Sequence, residues 1–190
     1  NASEVDIYLR KVEEYEANLS EFGDPYQTIS NKAWMKEVLH FGGGTGQGEQ
    51  NRFKSFLNSY ARTLADTLYG GNVTSFFKTS TSPIQQIQSE ALKSRVDSGV
   101  SMITFFGHSA PGTFDISFDD PENYTNFGKY PMVFSFGCFA GYIYNPGKGI
   151  SERFLLADGK AGISFVSTTG LSLDVSLNNF AGRMYEKLSK

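Results

Sequence analysis

Val133–Gly141 reads VFSFGCFAG, and Ile103–Gly112 reads ITFFGHSAPG. In each, a short run of aromatic and β-branched residues breaks at a glycine. A chemically active side chain follows at once, Cys138 after Gly137 and His108 after Gly107. Apolar runs of this length, bounded by turn signals, read as fully buried strands of a parallel sheet. Sheets of that kind place ligands and chemistry outside the carboxyl ends of their strands. If the two runs are neighbouring strands, the single cysteine faces one of the two histidines at the sheet's carboxyl edge.

Outward from this pair, strand and helix patterns alternate. Ile7–Asn18 has helical spacing through Ile7, Val12 and Tyr15, and Phe22–Asn31 reads as loop. Trp34–Phe41 predicts a strand that runs into Gly42, Gly43 and Gly44. Asn51–Tyr69 repeats apolar residues at Phe53, Phe56, Leu57, Tyr60 and Leu64, an amphipathic helix stopped by Gly70–Gly71. Val73–Phe77 is a strand. Ser82–Pro83 predicts the start of a helix running through Ile84, Ile87, Leu92 and Val96 to Gly99, with serine as cap and proline in the first turn. Val100–Phe106 is the strand before His108. Ser109–Tyr130 is a long polar connection with room for a small hairpin around Thr113–Phe118. A loop at Tyr142–Lys148, a short helix at Ile150–Ala157, a strand at Gly162–Ser167 and a helix at Ser176–Leu188 complete the chain. The alternation predicts one α/β domain over residues 1–190, a mostly parallel sheet between helices.

Composition narrows the function. The net charge of −3 and the scatter of the 17 basic residues argue against nucleic acid as a partner. No apolar run approaches the roughly 20 residues needed for membrane insertion. One cysteine forms no internal disulfide, and with two dispersed histidines it offers no metal-ligand spacing, so no metal or cofactor is expected. Gly43 and Gly48 have the spacing of a phosphate-binding loop, but Glu49 and Gln50 stand where lysine and serine or threonine are needed. A nucleotide site is therefore opposed by the residues themselves.

The remaining chemistry is nucleophilic. A cysteine attacks as the thiolate, and a nearby imidazole takes its proton or pairs with the anion. An acyl-transfer site also needs donors for the oxyanion, and the amides of Cys138 and Ser109 stand at the two strand exits. His40, inside the first strand, is read as structural or substrate-flanking.

The segments VEEYE, WMKEVL before the glycine loop, ITFFGHS, VFSFGCFAG and GISERFLLADGKAGISFVSTTG together resemble the gingipain-like cysteine peptidases. These are a branch of the caspase-like fold that includes bacterial secreted proteases and type IX secretion sortases. The last segment, with GCFAG, is more similar to the sortase-like members. The resemblance implies a caspase-like three-layer αβα sandwich, cut from a longer protein that is secreted or held at the cell surface. It implies a cysteine endopeptidase or transpeptidase with His108 as general base and Cys138 as nucleophile, forming a thioester acyl-enzyme. Protein or peptide substrates, and secretion machinery as a partner, come with it. Two departures stand out. Ser109 occupies a place where the family usually has glycine. The gingipains also carry an acid at the end of the first strand to orient the histidine, whereas this chain reads Phe41–Gly42–Gly43, so a Cys–His dyad is expected. In the arginine-specific members an acid receives the P1 arginine; it should fall near Glu49–Asn51, where Glu49 is the candidate, and Asp174 is a second candidate for that wall. A catalytically silent domain that keeps the fold to bind a peptide or partner is the alternative reading.

Overall fold

The computed structural model describes residues 2–19, 28–65, 68–86, 90–117 and 120–190. Helix α1 (Ala2–Leu19) is followed by a one-turn helix α2 (Ile29–Lys32), a 3-10 turn and strand β1 (Glu37–Gly42). Then come α3 (Gln47–Ala65), β2 (Asn72–Phe77), β3 (Gln85–Gln86), α4 (Glu90–Ser98) and β4 (Met102–Phe106). Three two-residue strands follow, β5 (Ser109–Ala110), β6 (Thr113–Phe114) and β7 (Ile116–Ser117). The chain ends with β8 (Met132–Phe136), α5 (Ile150–Leu156), β9 (Ser164–Ser167) and α6 (Asp174–Leu188).

The five long strands form one sheet in the order β2-β1-β4-β8-β9, every pair parallel. Side chains alternate across it, as a period of two requires. Leu39, Phe41, Ile103, Phe105 and Val133 meet Leu92 and Val96 of α4 and Ile150 and Phe154 of α5 on one face. Val38, Met102, Phe106, Phe134 and Phe136 meet Phe53, Leu57 and Leu64 of α3 and Ala181 and Tyr185 of α6 on the other. Helices on both faces of a parallel sheet make the expected αβα sandwich. The buried Lys11 of α1 donates to the carbonyls of Phe154, Leu155 and Gly162, satisfying the end of α5.

Two expectations change. No helix starts at Ser82–Pro83; α4 is described from Glu90, and Ile87 lies outside the described residues. Gln85–Gln86 instead pairs in parallel with Ile116–Ser117. The Gln85 side chain accepts from the Thr79 and Ser80 amides, and the Gln85 amide donates to the Asp115 carbonyl. These long-range bonds outweigh a local cap-and-proline signal. The hairpin forms earlier than expected, as β5 and β6 around a Pro111–Gly112 turn, and Phe118 lies outside the described residues.

Candidate active site

The register sets Phe106 opposite both Gly42 and Phe136, so β1, β4 and β8 end level. Gly107 and Gly137 therefore leave the sheet side by side, with the Gly107 amide 3.3 Å from the Phe136 carbonyl. The crowding demands glycine at both. A Cβ on Gly107 would stand 2.7 Å from an Asp115 carboxylate oxygen and 2.8 Å from the Phe105 ring. One on Gly137 would stand 2.3 Å from the Ser109 hydroxyl.

Past these exits, His108 and Cys138 line the same pocket, of about 250 Å³. Phe53, Phe106 and Phe136 form its buried floor, and Leu177 of α6 lines it as well. The His108 Nε2–H donates to Glu49 Oε2 at 2.9 Å, and the ring lies edge-on to Phe53 at 6.1 Å. Glu49, one of the two acids expected to bind substrate, lies in the first turn of α3, which begins at Gln47 rather than at Asn51; it lines the pocket and sits beside the histidine. The same Oε2 accepts from the Thr45 amide at 2.7 Å and the Thr45 hydroxyl at 2.8 Å. Partial burial opposes ionisation, but the Thr45 amide and His108 prevail and hold the carboxyl down at about 2. Glu49 is an anion at any working pH.

Cys138 is held through its backbone. The Ser109 hydroxyl donates to the Cys138 carbonyl at 2.6 Å, and the Thr168 hydroxyl donates to the Gly137 carbonyl. The Phe139 amide reaches Gly170 at 3.2 Å and the Gly141 amide reaches Thr168 at 2.9 Å. Phe139 takes φ 58°, a left-handed conformation uncommon for a bulky residue, which turns the chain sharply after the cysteine. The thiol is 3.7 Å from the Ser172 carbonyl; His108 is not among its hydrogen-bond partners here.

The amides of Ser109 and Cys138 follow the two strand exits. The Asp115 amide donates to the His108 carbonyl at 2.9 Å, so His108 and Asp115 form a hydrogen-bonded pair at the end of the β5–β6 hairpin. Ladder alternation then makes Ser109 and Phe114 a non-hydrogen-bonded pair, turning the Ser109 N–H away from its partner strand. Among the described residues no acceptor meets the Cys138 amide.

Asp174, at the start of α6, pairs with Arg52 of α3 at 2.8 Å, and Arg52 also stands 3.9 Å from Glu49. The glycine loop holds a carboxylate from within. The Gly44 amide donates to the buried Asp115 at 2.7 Å, Gly43 donates to the Phe106 carbonyl, and Thr45 is taken by Glu49. A Cβ on Gly43 would fall 2.0 Å from Asp115, one on Gly42 would fall 2.7 Å from the Phe77 ring, and Gly44 has φ +121° against Gln50, so each glycine of the run has its own cause. Burial pushes the Asp115 carboxyl up, against the Gly44 amide and the buried Lys78 at 3.7 Å. His40 lies away from all this. It is fully buried, with Nε2 2.9 Å from the Tyr185 hydroxyl, and burial pulls it down to about 3, so it is neutral and structural. Among the described residues no group of three His, Cys, Asp or Glu is arranged for a metal, and no helix is long and apolar enough to cross a membrane.

Comparison with known proteins places this arrangement. No curated protein matches the chain. The crystal structure of the Arg-specific cysteine proteinase gingipain R matches at TM-score 0.66 and 18% identity, over 82% of this chain and 37% of that one. A complex of the pro- and mature domains of Porphyromonas gingivalis RgpB matches at TM-score 0.62 and 15% identity, over 83% and 38%. A structure described only as a protease matches at TM-score 0.67 and 15% identity, over 94% and 37%. The chain thus shares the gingipain caspase-like fold while spanning under two-fifths of each matched chain. The family model for peptidase family C25 fits residues 1–190, end to end. By that match the chain belongs to peptidase family C25.

Proposed function

We propose that the domain cleaves peptide bonds through Cys138, His108 and Glu49, with the amides of Cys138 and Ser109 as the oxyanion hole. The observation that carries this is the 2.9 Å bond from Glu49 to His108 Nε2 at the rim of the pocket that Cys138 also lines. With Nε2 engaged, Nδ1 is the nitrogen available to take the thiol proton. Glu49 fixes the tautomer and balances the imidazolium, so in this reading the expected Cys–His dyad gains a third member, supplied by the first turn of α3 and not by the end of the first strand, which reads Phe41–Gly42–Gly43. The thiolate adds to the scissile carbonyl carbon, and the oxyanion gathers the two amides. On collapse, the C–N bond breaks, the amine leaves with the proton from His108, and a thioester remains on Cys138. Water hydrolyses that thioester in an endopeptidase. In a sortase-like transpeptidase an amine takes the acyl group, and product masses with and without an added amine separate the two. Protein or peptide substrates outside the cell suit this reading, and secretion machinery suits the transfer reaction.

The test is covalent. A peptidyl acyloxymethyl ketone should form a single adduct that maps to Cys138, vanish in Cys138→Ala and form far more slowly in His108→Ala. Equal labelling of wild type and His108→Ala would leave only a reactive thiol and favour the silent peptide-binding domain.

A further inference from the structure

The pocket beside Cys138 is apolar at its floor and charged at its rim, and the rim charges are already paired. Arg52 holds Asp174 at 2.8 Å and stands 3.9 Å from Glu49. Glu49 Oε2 is bonded to His108 and Thr45. The Arg52 guanidinium lies over the Phe53 ring at 5.6 Å, which keeps the cation on the wall of the pocket. Building on the peptidase reading above, we propose that Arg52 sets the P1 preference. It withdraws both carboxylates from a basic side chain and leaves a pocket for an apolar P1 residue.

A lysine or arginine side chain entering between α3 and α6 would bring a second cation against Arg52, with no carboxylate unpaired to receive it. An aliphatic or aromatic side chain meets Phe53, Phe106, Phe136 and Leu177 and displaces no ion pair. About 250 Å³ holds a leucine or phenylalanine side chain. Gingipain R is described as Arg-specific, so the preference assigned here is a departure within the shared fold. The bridge also explains why Asp174, an acid in the right wall, is not a basic-residue receptor: its partner comes from the protein.

The experiment is a series of peptidyl acyloxymethyl ketones identical except for Leu, Phe, Arg or Asp at P1, with the rate of Cys138 modification followed by intact mass. Wild type should react at least tenfold faster with Leu or Phe than with Arg or Asp. In Arg52→Gln the ratio of the Arg to the Leu rate should rise at least tenfold, because Asp174 is freed. Adding Asp174→Asn should abolish that gain. A wild-type protein that prefers Arg or Asp overturns the proposal, as does an Arg52→Gln ratio equal to that of wild type. The wild-type series alone decides if Arg52→Gln does not fold. Failure of the peptidase reading looks different: no probe reacts at any P1, although iodoacetamide still alkylates Cys138, and the inference falls with it.

Discussion

The imidazole of His108 has two nitrogens, and the carboxylate that claims one of them decides what the other does. Glu49→Gln keeps the shape of the side chain but removes its charge, and a reversed amide would present N–H where the ring needs an acceptor. We expect kcat to fall roughly 10²-fold, with KM little changed, because the group acts on the proton transfer and not on substrate contact. A proportional rise in KM with unchanged kcat would make Glu49 a binding residue. Ser109 offers a contrasting case. Ser109→Ala deletes the hydroxyl that fixes the Cys138 carbonyl but keeps the backbone N–H turned away from the hairpin. The lost bond is worth about 1 kcal/mol, so kcat should drop by no more than about tenfold. A loss of several hundredfold would mean that the hydroxyl itself touches the reacting atoms. The departure from glycine at this position is thus a tether added beside a donor that any residue supplies.

Among the elements, α6 is seated by a polar contact inside an apolar layer. Tyr185 bonds His40 of β1 at 2.9 Å and Thr104 of β4 at 2.6 Å, and its ring stacks on Tyr60 of α3. His40 carries a linkage consequence. Folding lowers its affinity for a proton from the ordinary 6.5 to about 3, so between those values the unfolded chain binds more protons than the folded one. Stability is complete above about pH 6.5 and is lost as the pH falls toward 3, by about 2–4 kcal/mol from this group. Glu49 adds a loss of the same sign, but only below its ordinary 4.5. Asp115, pushed up by burial, contributes with the opposite sign in both proteins, so the melting temperature should rise with pH more steeply between 4.5 and 6.5 in wild type than in His40→Gln, which cannot titrate. An equal slope in both would move the titration to another group. The same elements mark what the sequence made legible. VFSFGC and ITFFGH announce buried strands because the residues before each glycine are apolar apart from the small Ser135 and Thr104, and parallel pairing puts their exits together. Glu49 was harder to place. Its role depends on α3 starting at Gln47, inside a glycine-rich run that carries no hydrophobic period. The absent helix at Ser82–Pro83 has the opposite cause: a sound local signal overruled by bonds to residues 30 positions further on, at Asp115 and Ile116.

Taken whole, the molecule has two unlike ends. At the carboxyl ends of β1, β4 and β8 lie the close-packed glycines, the left-handed Phe139, the buried Asp115–Lys78 pair and the reactive side chains. At the amino ends the backbone is laced across the sheet: Ser101 donates to the Glu37 carbonyl, Met132 to Ser101 and Ile163 to Pro131. Lys11 belongs to this end, since it ties α1 to the end of α5 and to Gly162 just before β9. Lys11→Met keeps most of the stem but strips three carbonyls, two of them buried, of their donor. That should cost about 3 kcal/mol and lower the melting temperature by several degrees, with the labelling rate of Cys138 per folded molecule unchanged. A changed rate at the other end of the sheet would show that the two ends are coupled. The laced amino end also has a bearing on how such a protein can change over generations. If Lys11→Met leaves the labelling rate unchanged, variants there are filtered through the persistence of the fold and not through what happens at Cys138. Change at the opposite edge would then draw on a reserve of robustness built up away from the pocket.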